Sequence, residues 1–243
     1  RANQIKKIKL DEIKKSTRVY PFIRFNQQKK VHNKVIEIEN ISKKYDEISV
    51  INKFSTIINS GDKIAIIGEN GIGKTTFLKC LVEDEFINEG KVKWSENALV
   101  GYFPQNPSNE FKSNISLMDW MNQWSHEEDD LEIVRGTLGR LLFSQNDIDK
   151  PISVLSGGEQ RRMLFGKIIL QRANVIILDE PTNHLDMESI ESLNHALNLF
   201  EGTSIFVSHD REFISSLATR VIEIKHNKII DYDDNYNNYI SKK

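Results

Sequence analysis

Short apolar runs alternate along the chain with stretches in which apolar side chains recur at helical spacing. Runs with the length and composition of strands occupy residues 35–39, 54–58, 63–67, 175–178 and 204–207. Residues 74–82 instead place apolar side chains three and four positions apart, which predicts a helix packed on the preceding strand. The last two apolar runs end at polar residues and flank a helical stretch, as in a buried parallel sheet. The pattern therefore predicts an α/β fold.

The middle and the ends of the chain follow other patterns. Apolar positions at helical spacing in residues 111–150 predict a helical insert, and the acidic run at 127–130 predicts a solvated turn that favours a helix N-terminus. Residues 1–18 place isoleucines among lysines without Gly or Pro, which is compatible with the end of an amphipathic helix. Residues 233–243 form a polar tail for which the pattern favours no element. We therefore expect the domain to extend over residues 31–232.

Composition limits the class of protein. The chain has 243 residues, one cysteine and no run of 18 apolar residues, which excludes membrane spans and a disulfide scaffold. Its 39% hydrophobic residues suffice for an ordinary core, in which we expect Cys80 as a small packed side chain. The chain opens with Arg1 and shows no signal-peptide pattern, so we expect a cytoplasmic polypeptide that is part of a longer protein.

Charge is distributed unevenly along the sequence. Residues 1–34 hold eleven basic side chains against two acidic ones, a net charge of +9, which leaves −11 for the remainder of the chain. The mean field of the acidic body would not attract nucleic acid, whereas the basic arm could approach phosphates through Coulomb attraction and counterion release. The alternative interpretation of the arm is a solvated, lysine-rich helix or linker.

A phosphate-binding loop is the strongest local signal. Residues 68–76 read Gly-Glu-Asn-Gly-Ile-Gly-Lys-Thr-Thr, between a predicted strand and a predicted helix. The glycines allow backbone N–H groups to converge on an anion, and the helix N-terminus adds positive potential. In this interpretation Lys74 reaches the β and γ phosphates and Thr75 offers its hydroxyl to Mg²⁺. The competing interpretation is a glycine-rich turn, but the whole pattern arises by chance in roughly one chain in a hundred of this length.

Two further motifs follow in sequence. Residues 175–180 form an apolar strand that ends in two carboxylates, of which Asp179 can hold Mg²⁺ and Glu180 can orient and polarise the attacking water. Residues 155–159, Leu-Ser-Gly-Gly-Glu, precede a predicted helix and make a second helix N-terminus suited to an anion. The alternative interpretation of Ser156 is a plain helix cap.

In order and spacing these motifs resemble the nucleotide-binding domain of ATP-binding cassette (ABC) proteins, over about residues 35–230. By this resemblance the phosphate loop is the Walker A loop, the Leu-Ser-Gly-Gly-Glu segment is the signature, and the Asp-Glu strand is Walker B. The resemblance adds Tyr45 as the aromatic that stacks on adenine, Gln105 as the Q-loop glutamine and His209 as the switch histidine. It implies a RecA-like parallel sheet core, an antiparallel β subdomain and a helical subdomain at about residues 106–165.

The resemblance assigns a role to each candidate site residue. Catalysis is assigned to Glu180, His209 and Gln105, and Mg²⁺ binding to Thr75, Gln105 and Asp179. ATP binding is assigned to Tyr45, Gly68, Asn70, Gly71, Gly73, Lys74, Thr75 and Thr76. The signature residues, which would contact ATP held by a partner cassette because cassettes of this family pair head to tail, are Ser156, Gly157, Gly158 and Glu159. The implied cofactors are ATP and Mg²⁺.

Other residues narrow the resemblance to the soluble ABC-F group. Asn183 and His184 follow Walker B at places where transporters usually carry small residues. The signature ends in Glu159, where transporters more often carry glutamine. Segments that look like the YbiT branch of this group lie at residues 139–143, 187–193 and 210–213.

ABC-F proteins carry two cassettes joined by a basic, helical linker, so this chain resembles the C-terminal half, with residues 1–30 as the end of the linker. In that family the linker reaches into the ribosome near the peptidyl-tRNA. The resemblance therefore implies a cytoplasmic ATPase that acts on the ribosome to regulate translation and pairs with the N-terminal cassette of its parent chain. The isolated half would hydrolyse ATP slowly unless it forms a homodimer.

Two other functions remain compatible with the sequence. The energy-coupling cassette of a membrane transporter needs no membrane spans of its own, because such cassettes are often separate chains, although Asn183, His184 and the basic extension argue against it. A DNA-associated cassette ATPase is the other alternative, since local sequence does not distinguish nucleic-acid partners. In the favoured interpretation we expect no membrane contact.

Overall fold

The computed structural model describes residues 20–226 and 228–243, so the helix predicted over residues 1–18 lies outside the described residues. The strands are β1 (Lys34–Tyr45), β2 (Ile48–Asn59), β3 (Lys63–Ile67), β4 (Glu89–Trp94), β5 (Val100–Phe103), β6 (Val175–Asp179), β7 (Thr203–Val207), β8 (Arg220–Lys225) and β9 (Lys228–Tyr232). The helices are α1 (Lys74–Leu81), α2 (Leu117–Asn122), α3 (Leu131–Arg140), α4 (Gly157–Leu170), α5 (Met187–Leu199), α6 (Arg211–Leu217) and α7 (Tyr236–Ser241), with a 3₁₀ turn at Ile152–Val154.

Two sheets form the frame of the domain. One is antiparallel, with strands in the order β2-β1-β4, and the other has six strands in the order β5-β6-β7-β3-β8-β9. The first five strands of the larger sheet are parallel, and β9 closes it as an antiparallel edge. This arrangement confirms the predicted α/β fold, with the parallel core and the antiparallel β subdomain that the family resemblance implied.

The central strands are buried on both faces. Every residue of β6 and β7 is buried, as expected of parallel strands that are covered by helices on each side. Ile176 and Leu178 belong to the core cluster that includes side chains of α4 and α5, while Val175 and Ile177 belong to the cluster that includes α1. Cys80 is buried in that second cluster, which confirms the prediction that it is a packed side chain. The two layers hold the carboxyl ends of β6 and β7 rigidly.

The predicted helical insert is present as α2 and α3, which pack against α4. The packing is close at Gly166 of α4, where an added Cβ would lie 2.5 Å from Met121 Cε and 2.9 Å from Leu141 Cδ1, so these side-chain ends would have to shift. The acidic run ends at Asp130, whose carboxylate caps α3 by accepting a hydrogen bond from the Ile133 N–H at 3.0 Å. Within the part of the chain that the structure describes, no helix is long and apolar enough to cross a bilayer.

The residues immediately before the predicted domain start pack against the surface of the domain. Ile23 and Phe25 are buried, and the Phe25 ring contacts the Phe200 ring edge-on at a centroid distance of 6.0 Å. The backbone of this segment is bonded to helix ends, since the N–H of Phe22 donates to the carbonyl of Arg140 at 2.8 Å. Residues 21–31 therefore sit at a fixed position on the body formed by the helices.

The polar tail, for which the sequence pattern favoured no element, contains the short helix α7. Asn235 caps this helix by accepting a hydrogen bond from the Asn238 N–H at 2.9 Å. Tyr239 is buried and packs against the Tyr232 ring at a centroid distance of 5.0 Å. Tyrosine contacts of this kind give the tail enough buried apolar area to order one helical turn and a half.

Candidate functional site

The phosphate loop leaves β3 and enters α1 with three glycines at positive φ, Gly68 at 153°, Gly71 at 76° and Gly73 at 112°. Only glycine adopts such angles without strain. A Cβ at Gly73 would lie 2.1 Å from Cγ1 of Val50 on β2, and a Cβ at Gly68 would lie 2.4 Å from the carbonyl oxygen of Ile224 on β8. The loop is therefore held between the antiparallel hairpin and the larger sheet, with its backbone in close contact on both sides.

Lys74 begins α1 and folds back over the loop. Only 7% of the residue is exposed, and its Nζ donates to the carbonyl oxygens of Gly68 at 2.9 Å and Glu69 at 3.0 Å. Burial lowers the pKa of Lys74, while the nearby carboxylates of Glu180 and Asp179 act in the opposite direction. The ammonium group thus lies inside the curve of the loop and facing both carboxylates.

Asp179 ends β6 and is fully buried. Among the described residues neither of its carboxylate oxygens completes a hydrogen bond, although the Thr75 hydroxyl faces it. Burial raises the pKa of Asp179 to about 6, the Glu180 carboxylate adds to this effect, and Thr75 and Lys74 oppose it. Buried carboxylate oxygens without partners are costly, and they are the ligands that a hard cation takes.

These donors fit a magnesium ion that arrives together with phosphates. In residues 20–226 and 228–243 no group of three or more His, Cys, Asp or Glu side chains is placed to hold a metal ion by itself. Mg²⁺ commonly takes one or two protein ligands and completes its octahedron with waters and phosphate oxygens. Asp179 and Thr75 would supply oxygen ligands of this type.

Glu180 and His209 come together although 29 positions separate them in sequence. Glu180 Oε1 lies 3.0 Å from Nε2 of His209, and the N–H of Glu180 donates to the carbonyl of Val207 at 3.0 Å. Only 3% of Glu180 is exposed, and its φ of 50° lies in the left-handed region, a strained backbone that often marks functional sites. Burial raises the pKa of Glu180, and the charges of His209, Lys74 and Arg161 oppose that rise.

The structure gathers most of the predicted site residues around one cleft of about 460 Å³. The predicted residues that line it are Asn70, Gly71, Gly73, Lys74, Thr75, Thr76, Gln105, Asp179, Glu180 and His209. Gly68 contributes its carbonyl to the Lys74 ammonium from below the loop. The cleft therefore combines a phosphate loop, a cation, a buried carboxylate and a carboxylate–imidazole pair.

Tyr45 and the signature lie outside this cleft. Tyr45 ends β1 with 42% of its surface exposed, and the Lys43 ammonium sits 4.6 Å from the centre of its ring. Ser156 caps α4 in a reciprocal arrangement, since the Ser156 N–H donates to Glu159 Oε2 at 2.8 Å and the Glu159 N–H donates to Ser156 Oγ. Ser156 therefore caps α4, an arrangement that leaves its assignment to the signature open to test. A Cβ at Gly157 would meet nothing within 4 Å, so the start of α4 faces open space.

Sequence reasoning did not assign a role to Arg161. This residue is buried on α4 and donates hydrogen bonds to main-chain carbonyls of two site loops. A signal for it exists in the sequence, because Arg161 takes the first position of an i, i+3, i+4, i+7 pattern that Leu164, Phe165 and Ile168 complete. Asn183 also lines the cleft, whereas the sequence had offered it only as a marker of the ABC-F group.

Comparison with known proteins matches residues 51–183 to the family described as ABC transporter. The whole chain is 54% identical to "Probable ATP-binding protein YbiT" of Escherichia coli O157:H7, and the match spans 46% of that protein. Over 90% of its length, this chain is 37% identical to "ABC transporter F family member 5" of Arabidopsis thaliana, and the match spans 32% of that protein. The chain thus spans less than half the length of either relative.

A solved structure shows the same fold. A bacterial Atm1-family ABC exporter with ATP bound superposes with a TM-score of 0.74 over 90% of this chain and 41% of that chain. The two sequences are 15% identical in the aligned part, so this likeness bears on the fold alone.

Proposed function

We propose that this chain, which belongs to the ABC transporter family and is similar to its ABC-F members, binds ATP with Mg²⁺ and hydrolyses it. The observation that carries the proposal is that Lys74, the buried Asp179 and the Glu180–His209 pair converge in one cleft. Phosphoryl transfer needs little covalent help from a protein, and its rate depends on positioning and electrostatic stabilisation. The cleft supplies groups for both.

Each group has a distinct task in hydrolysis. The converging N–H groups of the phosphate loop and the Lys74 ammonium hold the β and γ phosphates. Thr75, Gln105 and Asp179 would hold Mg²⁺, which when bound would supply positive charge to offset the charge that develops on the phosphate oxygens. Glu180 accepts a hydrogen bond from the attacking water and directs it at the γ phosphorus, while His209 fixes the carboxylate from 3.0 Å away. Because Glu180 and Asp179 are buried, these electrostatic effects are stronger than in water.

The position of the signature supports a composite site. Ser156, Gly157 and Gly158 start α4 outside the cleft that holds the catalytic groups. An exposed helix N-terminus with open space beside Gly157 suits contact with phosphates that another domain holds. We therefore propose that this cassette completes the site of a second cassette, and that its own ATP needs the second cassette's signature. In the parent protein that partner is the N-terminal cassette.

For the isolated chain we expect ATP turnover per molecule to rise with protein concentration, because only self-paired chains have complete sites. Phosphate release at saturating ATP, measured over a hundredfold range of protein concentration, tests this expectation. A high rate per molecule that is the same at all protein concentrations would contradict the composite site.

A mixing experiment sharpens the same test. Gly157→Arg places a bulky side chain in the signature at a position where a Cβ would meet nothing within 4 Å, and Glu180→Gln removes the catalytic carboxylate. Each variant alone should be nearly inactive. Their mixture should regain activity, because one of the two sites in a mixed pair combines an intact carboxylate with an intact signature.

We infer further that the parent protein acts in the cytoplasm on the ribosome and regulates translation. Support comes from the similarity to ABC-F members and from the basic residues 1–34, which carry a net charge of +9. Residues 21–31 pack on the cassette, so a movement of this cassette against a second one would also move the segment that precedes residue 21. Phosphates of ribosomal RNA or tRNA are the ligands that such a charge attracts.

Co-sedimentation tests the ribosome proposal. The parent protein with Glu180→Gln and the equivalent change in its other cassette should pellet with ribosomes in ATP and not in ADP, because the closed, ATP-bound form accumulates. Raising the salt concentration should weaken the association steeply, since counterion release drives it. Recovery of the protein on membranes or on DNA, with none on ribosomes, would instead favour a transporter cassette or a DNA-associated ATPase.

A further inference from the structure

Arg161 joins three parts of the molecule. It lies on α4 five residues after Ser156, and only 4% of it is exposed. Its Nη2 donates to the carbonyl oxygen of Gln105 at 3.1 Å, and its Nη1 donates to the carbonyl oxygen of Glu180 at 3.4 Å. Its guanidinium carbon lies 5.7 Å from the centre of the Phe103 ring. Burial of a guanidinium is costly, and here the hydrogen bonds that offset this cost go to the main chain of two site loops.

We propose that Arg161 is a positioning residue that fixes the Gln105 loop and the Glu180 main chain to the signature helix, so that hydrolysis in this cassette responds to what its signature binds. The proposal rests on the proposed ATPase function and assigns a regulator to the same site.

The sheet explains why one side chain reaches both loops. Gln105 follows β5 and Glu180 follows β6, and these strands are parallel neighbours whose register pairs Phe103 with Leu178. Their carboxyl ends therefore lie side by side, and the Arg161 guanidinium lies across them. A planar guanidinium presents its donors in a fixed fork, so it sets the distance between the two carbonyl oxygens as a single ammonium does not.

The helix supplies the connection to the signature. Five residues of α-helix span about 7.5 Å, so Ser156 and Arg161 lie on the same rigid stretch of α4. A shift of the helix start toward a nucleotide on the partner cassette would carry Arg161 with it. Because Arg161 holds the main chain of Glu180, that shift would reposition the catalytic carboxylate, and the two ATP sites of a cassette pair would be coupled.

Two substitutions separate positioning from charge. Arg161→Met keeps the apolar stem and removes both hydrogen bonds, while Arg161→Lys keeps a cation without the planar fork. At a protein concentration that saturates pairing of the chain, we expect Arg161→Met to lower kcat for ATP hydrolysis roughly 10- to 100-fold. This is the range that small misplacements of catalytic groups cost. Affinity for a fluorescent ATP analogue should stay within about twofold, because the phosphate loop is untouched. Arg161→Lys should recover part of kcat.

Hydrogen exchange gives a second readout. With ATP bound, the amides of residues 105–106, of Glu180 and of residues 182–184 should exchange faster in Arg161→Met than in the unchanged chain, since their carbonyl anchors are lost. The control is Arg220→Met at a partly buried arginine, which bonds Asp62 and Asp231 away from the cleft. This control should lower Tm without lowering kcat or loosening those two segments.

The outcomes are distinct. If the unchanged chain hydrolyses no ATP even when it is paired with the N-terminal cassette of its parent protein, the proposed function fails. If the unchanged chain is active and Arg161→Met keeps kcat within twofold, the positioning role of Arg161 is overturned. It is also overturned if Arg220→Met reproduces the loss of kcat and the faster exchange, because Arg161 would then act through fold stability alone.

Discussion

Glu180→Gln is expected to lower kcat for ATP hydrolysis roughly 10²- to 10⁴-fold, the usual contribution of a general base, and to leave ATP affinity within about twofold. The amide keeps the shape of the side chain, so the contact with His209 at 3.0 Å can be retained while the charge that polarises water is lost. Single-turnover phosphate release measures the chemical step, and titration with a fluorescent ATP analogue measures binding.

The matched control for Glu180→Gln is Glu191→Gln, the same chemical change at an exposed position on α5. We expect it to alter neither kcat nor affinity. If Glu180→Gln hydrolysed ATP as fast as the unchanged chain, another group would activate the water. If Glu180→Gln lost ATP binding in parallel, Glu180 would contribute to nucleotide affinity instead.

The approach of Glu180 and His209 follows from information that the sequence contains. Each residue stands just after a short apolar run, and the structure pairs those runs as the parallel neighbours β6 and β7, with Asp179 opposite Val207. Carboxyl ends of adjacent parallel strands meet at one edge of a sheet, which is where open α/β sheets bind ligands. The elements of the cleft were therefore predictable once the strands were recognised.

Contacts between a helix and loops were harder to predict from the sequence. Arg161 takes the first position of a buried i, i+3, i+4, i+7 row on α4, and this pattern predicts burial of the side chain but not its partners. Its partners are main-chain carbonyls, which carry no signature in the sequence. Residues 21–25 show the same limit, because Ile23 and Phe25 alternate with exposed side chains as in a strand, yet the segment packs on helices without strand partners. In both cases tertiary packing determines which partners the buried side chains have.

Lys74→Ala is expected to weaken ATP binding roughly 10²-fold or more, in the range found when one partner of a buried charge pair is removed. The ammonium group of Lys74 lies inside the phosphate loop, bonded to the carbonyls of Gly68 and Glu69 and facing Asp179 and Glu180. Without it, the phosphates would meet two buried carboxylates with no cation from the loop between them.

The chemistry of the ligand separates a direct role of Lys74 from general damage to the loop. Because the ammonium faces the β and γ phosphates, Lys74→Ala should weaken ATP most and ADP less, and it should leave adenosine almost unaffected, as calorimetric titration would show. Lys79→Ala is the control, since Lys79 lies further along α1 with 38% of its side chain exposed and pairs only weakly with Asp84 at 3.6 Å. Equal losses for ATP and adenosine would mean that the loop had collapsed, and retained ATP affinity would contradict the assignment of residues 68–76 as the phosphate-binding loop.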